Sequence, residues 1–150
     1  MIADIVPGIT GAWFLPDGRD RLIVAEAFGP DSPALAGLGV GVGERLTGWV
    51  AANRQPILNS DAALDLGVRS LATSPGLARC LSVPLLSGDT LVGVLSLYAS
   101  EATAFSDDQG RLIQMIALHL ATTIHAAHRA AGETDASRKA PDLRLVKPHK

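Results

Sequence analysis

The chain is 150 residues long, 47% hydrophobic but only 4% aromatic, which suits one domain with a largely aliphatic core. Residues 1–132 hold eight Arg, no Lys and twelve acidic residues, a net charge of −4, and all three lysines fall in the last eighteen residues. An acidic body lacks the electrostatic footprint needed for a nucleic-acid backbone, so no nucleic-acid partner is expected. No apolar run reaches the ~18–20 residues of a membrane span, and Met1-Ile2-Ala3-Asp4 lacks the basic and apolar regions of a leader, so no membrane partner is expected. One cysteine, Cys80, excludes an intrachain disulfide framework and fits a reducing, cytoplasmic setting.

In chain order, Gly11–Leu15 and Leu22–Phe28 read as strands joined by Pro16-Asp17-Gly18, which supplies the preset φ and the positive-φ position of a tight turn. Residues 29–41, rich in Gly, Pro and Ser, read as loop. Helical spacing of Leu46, Trp49 and Val50 predicts a helix over Arg45–Arg54, ended by Pro56. Ile57-Leu58-Asn59 is a short strand candidate, and Ser60–Gly76 carries breakers that leave room for one short helix. Arg79–Leu86 and Thr90–Ser100 then form a β-hairpin around Ser87-Gly88-Asp89. In its second strand Leu91, Gly93, Leu95 and Leu97 are expected on one face and Val92, Val94, Ser96 and Tyr98 on the other.

The final element has the strongest local signals. Ser106 and Gln109 form a capping-box pattern, with Asp107 and Asp108 where the helix dipole favours negative charge. Leu112, Ile116, Leu120, Ile124 and Ala127, with Ile113 and Thr123, make one apolar stripe. Met115 and Leu118 fall off it, flanked by Thr122 and His125. These four residues are read as a homodimer face, against the plainer reading of scattered exposed apolar groups. Residues 132–150 read as a helix exit, linker and basic tail.

Val42-Gly43-Glu44, Leu46-Thr47-Gly48-Trp49-Val50-Ala51, Gln55-Pro56-Ile57 and Asn59-Ser60-Asp61 come in a particular order. They are followed by Ser82-Val83-Pro84-Leu85, Leu91-Val92-Gly93-Val94-Leu95 and Ala104-Phe105-Ser106-Asp107-Asp108. Together these segments, over about residues 9–131, resemble a GAF domain, a small sensory module of bacterial signalling proteins. The resemblance implies an α/β fold of the α+β type: a GAF/PAS-like central antiparallel sheet of five to six strands, flanking helices and a long C-terminal helix. It places the sensory domain at residues 1–131 and a small-molecule pocket between the sheet and residues 59–80. Two departures stand out. Only Met1–Gly8 precede the first strand, where such domains usually open with a long helix, and Arg45 stands where the family often has a glycine.

Several chemistries hosted by the family are disfavoured by these residues. Methionine sulfoxide reduction needs more than one thiol to close its cycle, and Cys80 is alone. Bilin attachment commonly uses Cys followed by His, whereas Leu81 follows Cys80. His119, His125, His128 and His149 all lie at or beyond the final helix, away from the implied pocket, and no metal site is expected. Cyclic-nucleotide-binding relatives carry a motif lysine that the body lacks. Gly37, Gly39, Gly41 and Gly43 lack both the Gly-Lys-Ser/Thr ending and the strand-to-helix context of a phosphate loop. No catalytic residue is assigned and no enzyme is expected; the cofactor is unknown. The candidate pocket set is Asn59, Arg69, Ser70, Ser74 and Arg79 as polar groups, with Trp13, Phe28, Trp49 and Tyr98 as apolar walls. Two functions stay open: a homodimeric regulatory sensor of an unknown small-molecule ligand, or a degenerate structural module acting through a signalling-protein partner without ligand.

Overall fold

Short apolar runs separated by tight turns build the sheet. A computed structural model describes residues 9–67, 69, 76–100 and 105–146, with side chains through 127 and at 130. The strands are β1 (Thr10–Pro16), β2 (Arg21–Phe28), β3 (Gly39–Gly41), β4 (Ile57–Asp61), β5 (Arg79–Ser87) and β6 (Thr90–Ala99). The helices are α1 (Arg45–Asn53), α2 (Ala63–Leu66) and α3 (Asp107–Val146), with a 3-10 turn at Ser32–Leu35. All six strands join one antiparallel sheet in the order β3-β2-β1-β6-β5-β4. This is the central antiparallel sheet with flanking helices that the sequence implies. The loop expected over residues 29–41 is more structured than its composition indicates, because Gly39–Gly41 pairs with Arg21–Ile23 as an edge strand.

Each sheet face carries its own core. One buries Ala12, Phe14, Val94, Tyr98 and Cys80 with α1 and α2, through residues such as Val50, Ala51, Ala62 and Leu66. The other buries Leu81, Val83, Leu85, Leu95 and Leu97 against Ile113, Ala117 and Ala121 of α3. The expected alternation in β6 holds from Val94 onward. It inverts at Leu91 and Val92 because a bulge opposite Leu85/Leu86 inserts one residue and swaps the faces. Gly93 lies at this irregularity, where a Cβ would come within 2.5 Å of the Phe14 carbonyl oxygen.

The apolar stripe of α3 also differs from the expected one. Gly110, Ile113, Ala117 and Ala121 face inward, Ile116, Leu120 and Ile124 are half-buried, and Leu112, Thr123 and Ala127 are exposed. Small side chains let the helix axis come close to the sheet, so the contact line follows alanines instead of the bulkiest residues. The helix continues through Gly132 and Pro141 to Val146, where the sequence predicts a linker. Glu133, Ala136, Arg138, Lys139 and Ala140 favour the extension up to Pro141, whereas nothing local accounts for the helix beyond that proline.

The glycine-punctuated block before α1 is a close-packing device. A Cβ on Gly48 would lie 2.1 Å from the Gly41 carbonyl oxygen, so α1 can approach β3 only with glycine there. Arg45 has φ 57°, in the left-handed region that favours glycine. The glycine that the resemblance leads one to expect at this position therefore has a backbone reason, and Arg45 stands there with side-chain hydrogen bonding described below. Replacing Gly48 by Ala is expected to destabilise the protein by about 2–3 kcal/mol, since the contact is with rigid backbone. Urea unfolding should show a lower midpoint at unchanged slope.

Candidate functional site

The sheet face beneath α1 and α2 contains a fully buried polar chain. Asp65 on α2 has no exposed surface. Its Oδ1 accepts the Thr47 backbone N–H at 2.8 Å, and its Oδ2 accepts the Thr47 hydroxyl at 2.7 Å and the Tyr98 hydroxyl. Thr47 Oγ1 lies 2.7 Å from Ser96 Oγ, which lies 2.8 Å from Ser82 Oγ. A hydroxyl donates only one hydrogen, and that of Thr47 goes to Asp65. Ser96 therefore donates to Thr47, and Ser82 donates to Ser96. The carboxylate gives the whole chain its direction.

Thr47 is in the first turn of α1, whose N–H groups have no intrahelical acceptor. Glu44, at the N-cap position, makes no capping bond and turns its Oε1 to the Gly41 N–H instead. Asp65 supplies the missing acceptor from another element, and its negative charge lies where the helix dipole favours it. Arg45 Nη1 donates to the Asp65 backbone carbonyl at 3.1 Å, so α1 grips α2 at both main chain and side chain. Burial, and then the nearby Asp65 charge, push the Cys80 thiol and the Tyr98 hydroxyl well above their usual pKa values. Both groups therefore remain protonated, with Tyr98 as a donor.

The candidate pocket residues are dispersed. Tyr98 lies on this face, within the buried chain. Trp13 and Phe28 lie on the opposite face, their ring centroids 6.2 Å apart beside the α3 core. Trp49 is 41% exposed on α1, its carbonyl accepting the Asn53 side chain at 3.0 Å. Arg69 Nη1 donates to the carbonyls of Ala34 and Ala36 at 3.2 and 3.3 Å, fastening the segment after α2 to the 3-10 region. Arg79 opens β5, facing Asp61 in register. Asn59 sits in the β4 bulge and donates to the Phe105 carbonyl. Ser70 and Ser74 lie outside the described residues, as do Met1–Gly8, the side chain of His128, and His149. Sequence reasoning passed over Asp65, Thr47, Ser82 and Ser96. The signal for them was four polar residues at positions whose neighbours are apolar core residues.

The other face presents α3 between two apolar grooves. One, of about 520 Å³, lies between α3 residues Met115 and Leu118 and the β5 residues Val83, Pro84 and Leu86, with Arg54 and Arg111 among its lining. The second, of about 440 Å³, lies between Leu120, Ile124 and Ala127 of α3 and Trp13 and Leu15 of β1. Met115 and Leu118 are 68% and 64% exposed, and Leu112, 46% exposed, extends the same row. Thr122 is exposed, bonding the Leu118 carbonyl at 3.3 Å, and His125 is half-buried. Among the described residues no helix is long and apolar enough to cross a membrane, and no group of three His, Cys, Asp or Glu is placed to hold a metal ion.

Comparisons place this architecture. A family model described as a GAF domain matches residues 2–125. The GAF domain of a phosphoenolpyruvate-protein phosphotransferase from Coxiella burnetii is 23% identical with a TM-score of 0.73, over 88% of this chain and 80% of that one. The GAF-B domain of DevS from Mycobacterium smegmatis is 19% identical with a TM-score of 0.71, over 88% of this chain and 90% of that one. A free methionine-R-sulfoxide reductase from Neisseria meningitidis, in complex with its substrate, is 21% identical with a TM-score of 0.62, over 81% of this chain and 70% of that one. These likenesses establish a shared fold. No curated protein sequence matches the chain.

The raised thiol pKa of Cys80 predicts a pH dependence. The folded state holds this proton more tightly than the unfolded chain, whose thiol titrates near 9.0. Its stabilising contribution is thus complete below pH 9 and is lost as the pH rises above it, by at most about 1.4 kcal/mol per pH unit. Unfolding free energies measured from pH 7 to 10 should show this alkaline loss, and Cys80→Ala should flatten it between pH 9 and 10.

Proposed function

The chain belongs to the GAF domain family of signalling and sensory modules, and on that premise we propose that it is a regulatory domain whose output is self-association along α3. The observation that carries this reading is the exposed row Leu112, Met115 and Leu118 beside an open apolar groove, on a helix whose opposite face is already packed on the sheet. An exposed apolar row adjoining an apolar groove is the composition of an interface. A second copy related by a two-fold axis would place this row in its partner's groove and receive the equivalent row in return. Thr122 and His125 continue the same interface toward the C-terminal part of α3.

Small-molecule sensing is the second part of the reading. Its support is the fold's use, in the Neisseria reductase, to hold a small substrate, together with Asn59, Arg69 and Arg79 around the segment between β4 and β5. The alternative is a structural module acting through a signalling partner without ligand. It draws support from the fully buried Tyr98, whose hydroxyl is engaged by Asp65 instead of facing an open cavity. Reductase chemistry of the neighbour's kind is not assigned to this chain. Its single thiol is buried, held protonated and lacks a second cysteine to resolve a disulfide.

Sedimentation equilibrium tests the output, with a dimer expected for the parent protein. Leu118→Glu, present twice in a symmetric dimer, should weaken association by about a hundredfold or more while leaving the thermal midpoint of the monomer unchanged. A parent protein that stays monomeric at high micromolar concentration refutes self-association. Native mass spectrometry of freshly purified protein, followed by thermal-shift measurements with a metabolite panel, tests sensing. A co-purified small molecule or a saturable rise in midpoint is expected. No shift across the panel favours the ligand-free alternative.

A further inference from the structure

The segment from β4 to the end of α2, residues 57–67, is held at two distant points. At one end Asp65 is locked by Thr47 and Tyr98 beneath α1. At the other, the Asn59 side-chain amide donates to the carbonyl of Phe105, one residue before the Ser106 cap of α3. Leu58 packs against the same helix, for a Cβ on Gly110 would lie 2.7 Å from its Cδ1. Between the two points the backbone is braced: Asp61 Oδ1 accepts the Ala63 N–H at 3.0 Å, and Ala62 donates to the Ala78 carbonyl at 2.9 Å.

Asn59 has two features that a purely structural anchor would not need. Its φ is 54°, in the left-handed region, and its buried Oδ1 has no hydrogen-bond partner among the described residues. It also lies in the bulge, where the β4–β5 pairing shifts register between Ile57 and Ser60. One favourable hydrogen bond is thus offset by an unsatisfied acceptor and by a less favourable backbone, which makes the contact easy to release. We propose that residues 57–67 form a strap latched at both ends, through which the state of Asp65 on one sheet face reaches the first turns of α3 on the other, with Asn59 as the positioning residue that transmits it. The proposal builds on α3 as the output element, yet it is tested without dimerisation or ligand.

Amide hydrogen exchange on the intact chain, kept monomeric by Leu118→Glu, reads both ends: the Thr47 amide for the first latch and the amides of residues 110–114 for the start of α3. Thr47→Val removes the hydroxyl bonds to Asp65 and Ser96 but leaves the residue's shape and N–H in place, and stands in for Asp65→Asn if that variant does not fold. It should speed exchange at position 47 and at residues 110–114 by about tenfold or more, as expected for loss of two hydrogen bonds. In an Asn59→Gly background, which keeps the backbone conformation and removes the amide, the effect at position 47 should persist and that at 110–114 should vanish. Asn59→Asp, which keeps the shape but loses the donor, should behave alike. An effect at 110–114 that is absent in the parent, or equal in both backgrounds, overturns the strap. Neither result bears on whether the parent protein dimerises, so the two readings fail separately.

Discussion

A single carboxylate organises the interior beneath α1. Asp65 is fully buried, and three donors from α1 and β6 converge on it. Desolvating a charge is costly unless it is hydrogen-bonded and its field is compensated. Here the compensation comes from hydroxyl groups and from the N-terminal turn of α1. Removing either side of such an arrangement would leave a buried polar group unsatisfied, so α1, α2 and the sheet hold together as a unit. The local conflict at Arg45 belongs to the same unit. Its left-handed backbone is tolerated where its guanidinium reaches the Asp65 carbonyl.

The two sheet faces have different physical characters, and that difference separates possible roles. The α1–α2 face is a mixed core, with aliphatic packing around a closed polar chain that fixes one arrangement. The α3 face is almost wholly apolar and depends on shape: alanines bring the helix close, and the larger side chains project to either side, where they border the two grooves. A helix seated this way can turn or slide against a sheet more readily than one bonded to it through directional hydrogen bonds.

The fold is shared with a free methionine-R-sulfoxide reductase. Catalysis by thiols needs an accessible thiolate and a resolving partner. Cys80 is sealed in apolar surroundings near a negative charge, and both influences keep its proton in place.

Local signals in the chain were enough for most of the strand, turn and helix order from Gly11 to Gln109, because Pro-Asp-Gly, Gln-Pro, the hairpin and the capping box act over a few residues each; the edge strand Gly39–Gly41 was not among them, because only its pairing with Arg21–Ile23 makes it a strand. They also sufficed for the off-stripe position of Met115 and Leu118, which follows from helical periodicity alone. Four things needed the assembled molecule. The inward line of α3 was set by how closely a helix can approach a sheet, so alanines displaced Leu112 from the contact. The face of Leu91 and Val92 was set by a bulge, a mismatch between two strands that neither strand encodes separately. Trp13 and Phe28 were parted from Tyr98 because strand pairing assigns faces, whereas composition only supplies aromatics. The Asp65 chain likewise joins residues 47, 65, 82, 96 and 98, separated by up to 51 positions, and only folding brings their hydroxyls and carboxylate within hydrogen-bonding distance. Sequence alone determined the periodicities and the punctuation; the tertiary structure decided which side chains meet, because close approach and pairing register are properties of elements in contact.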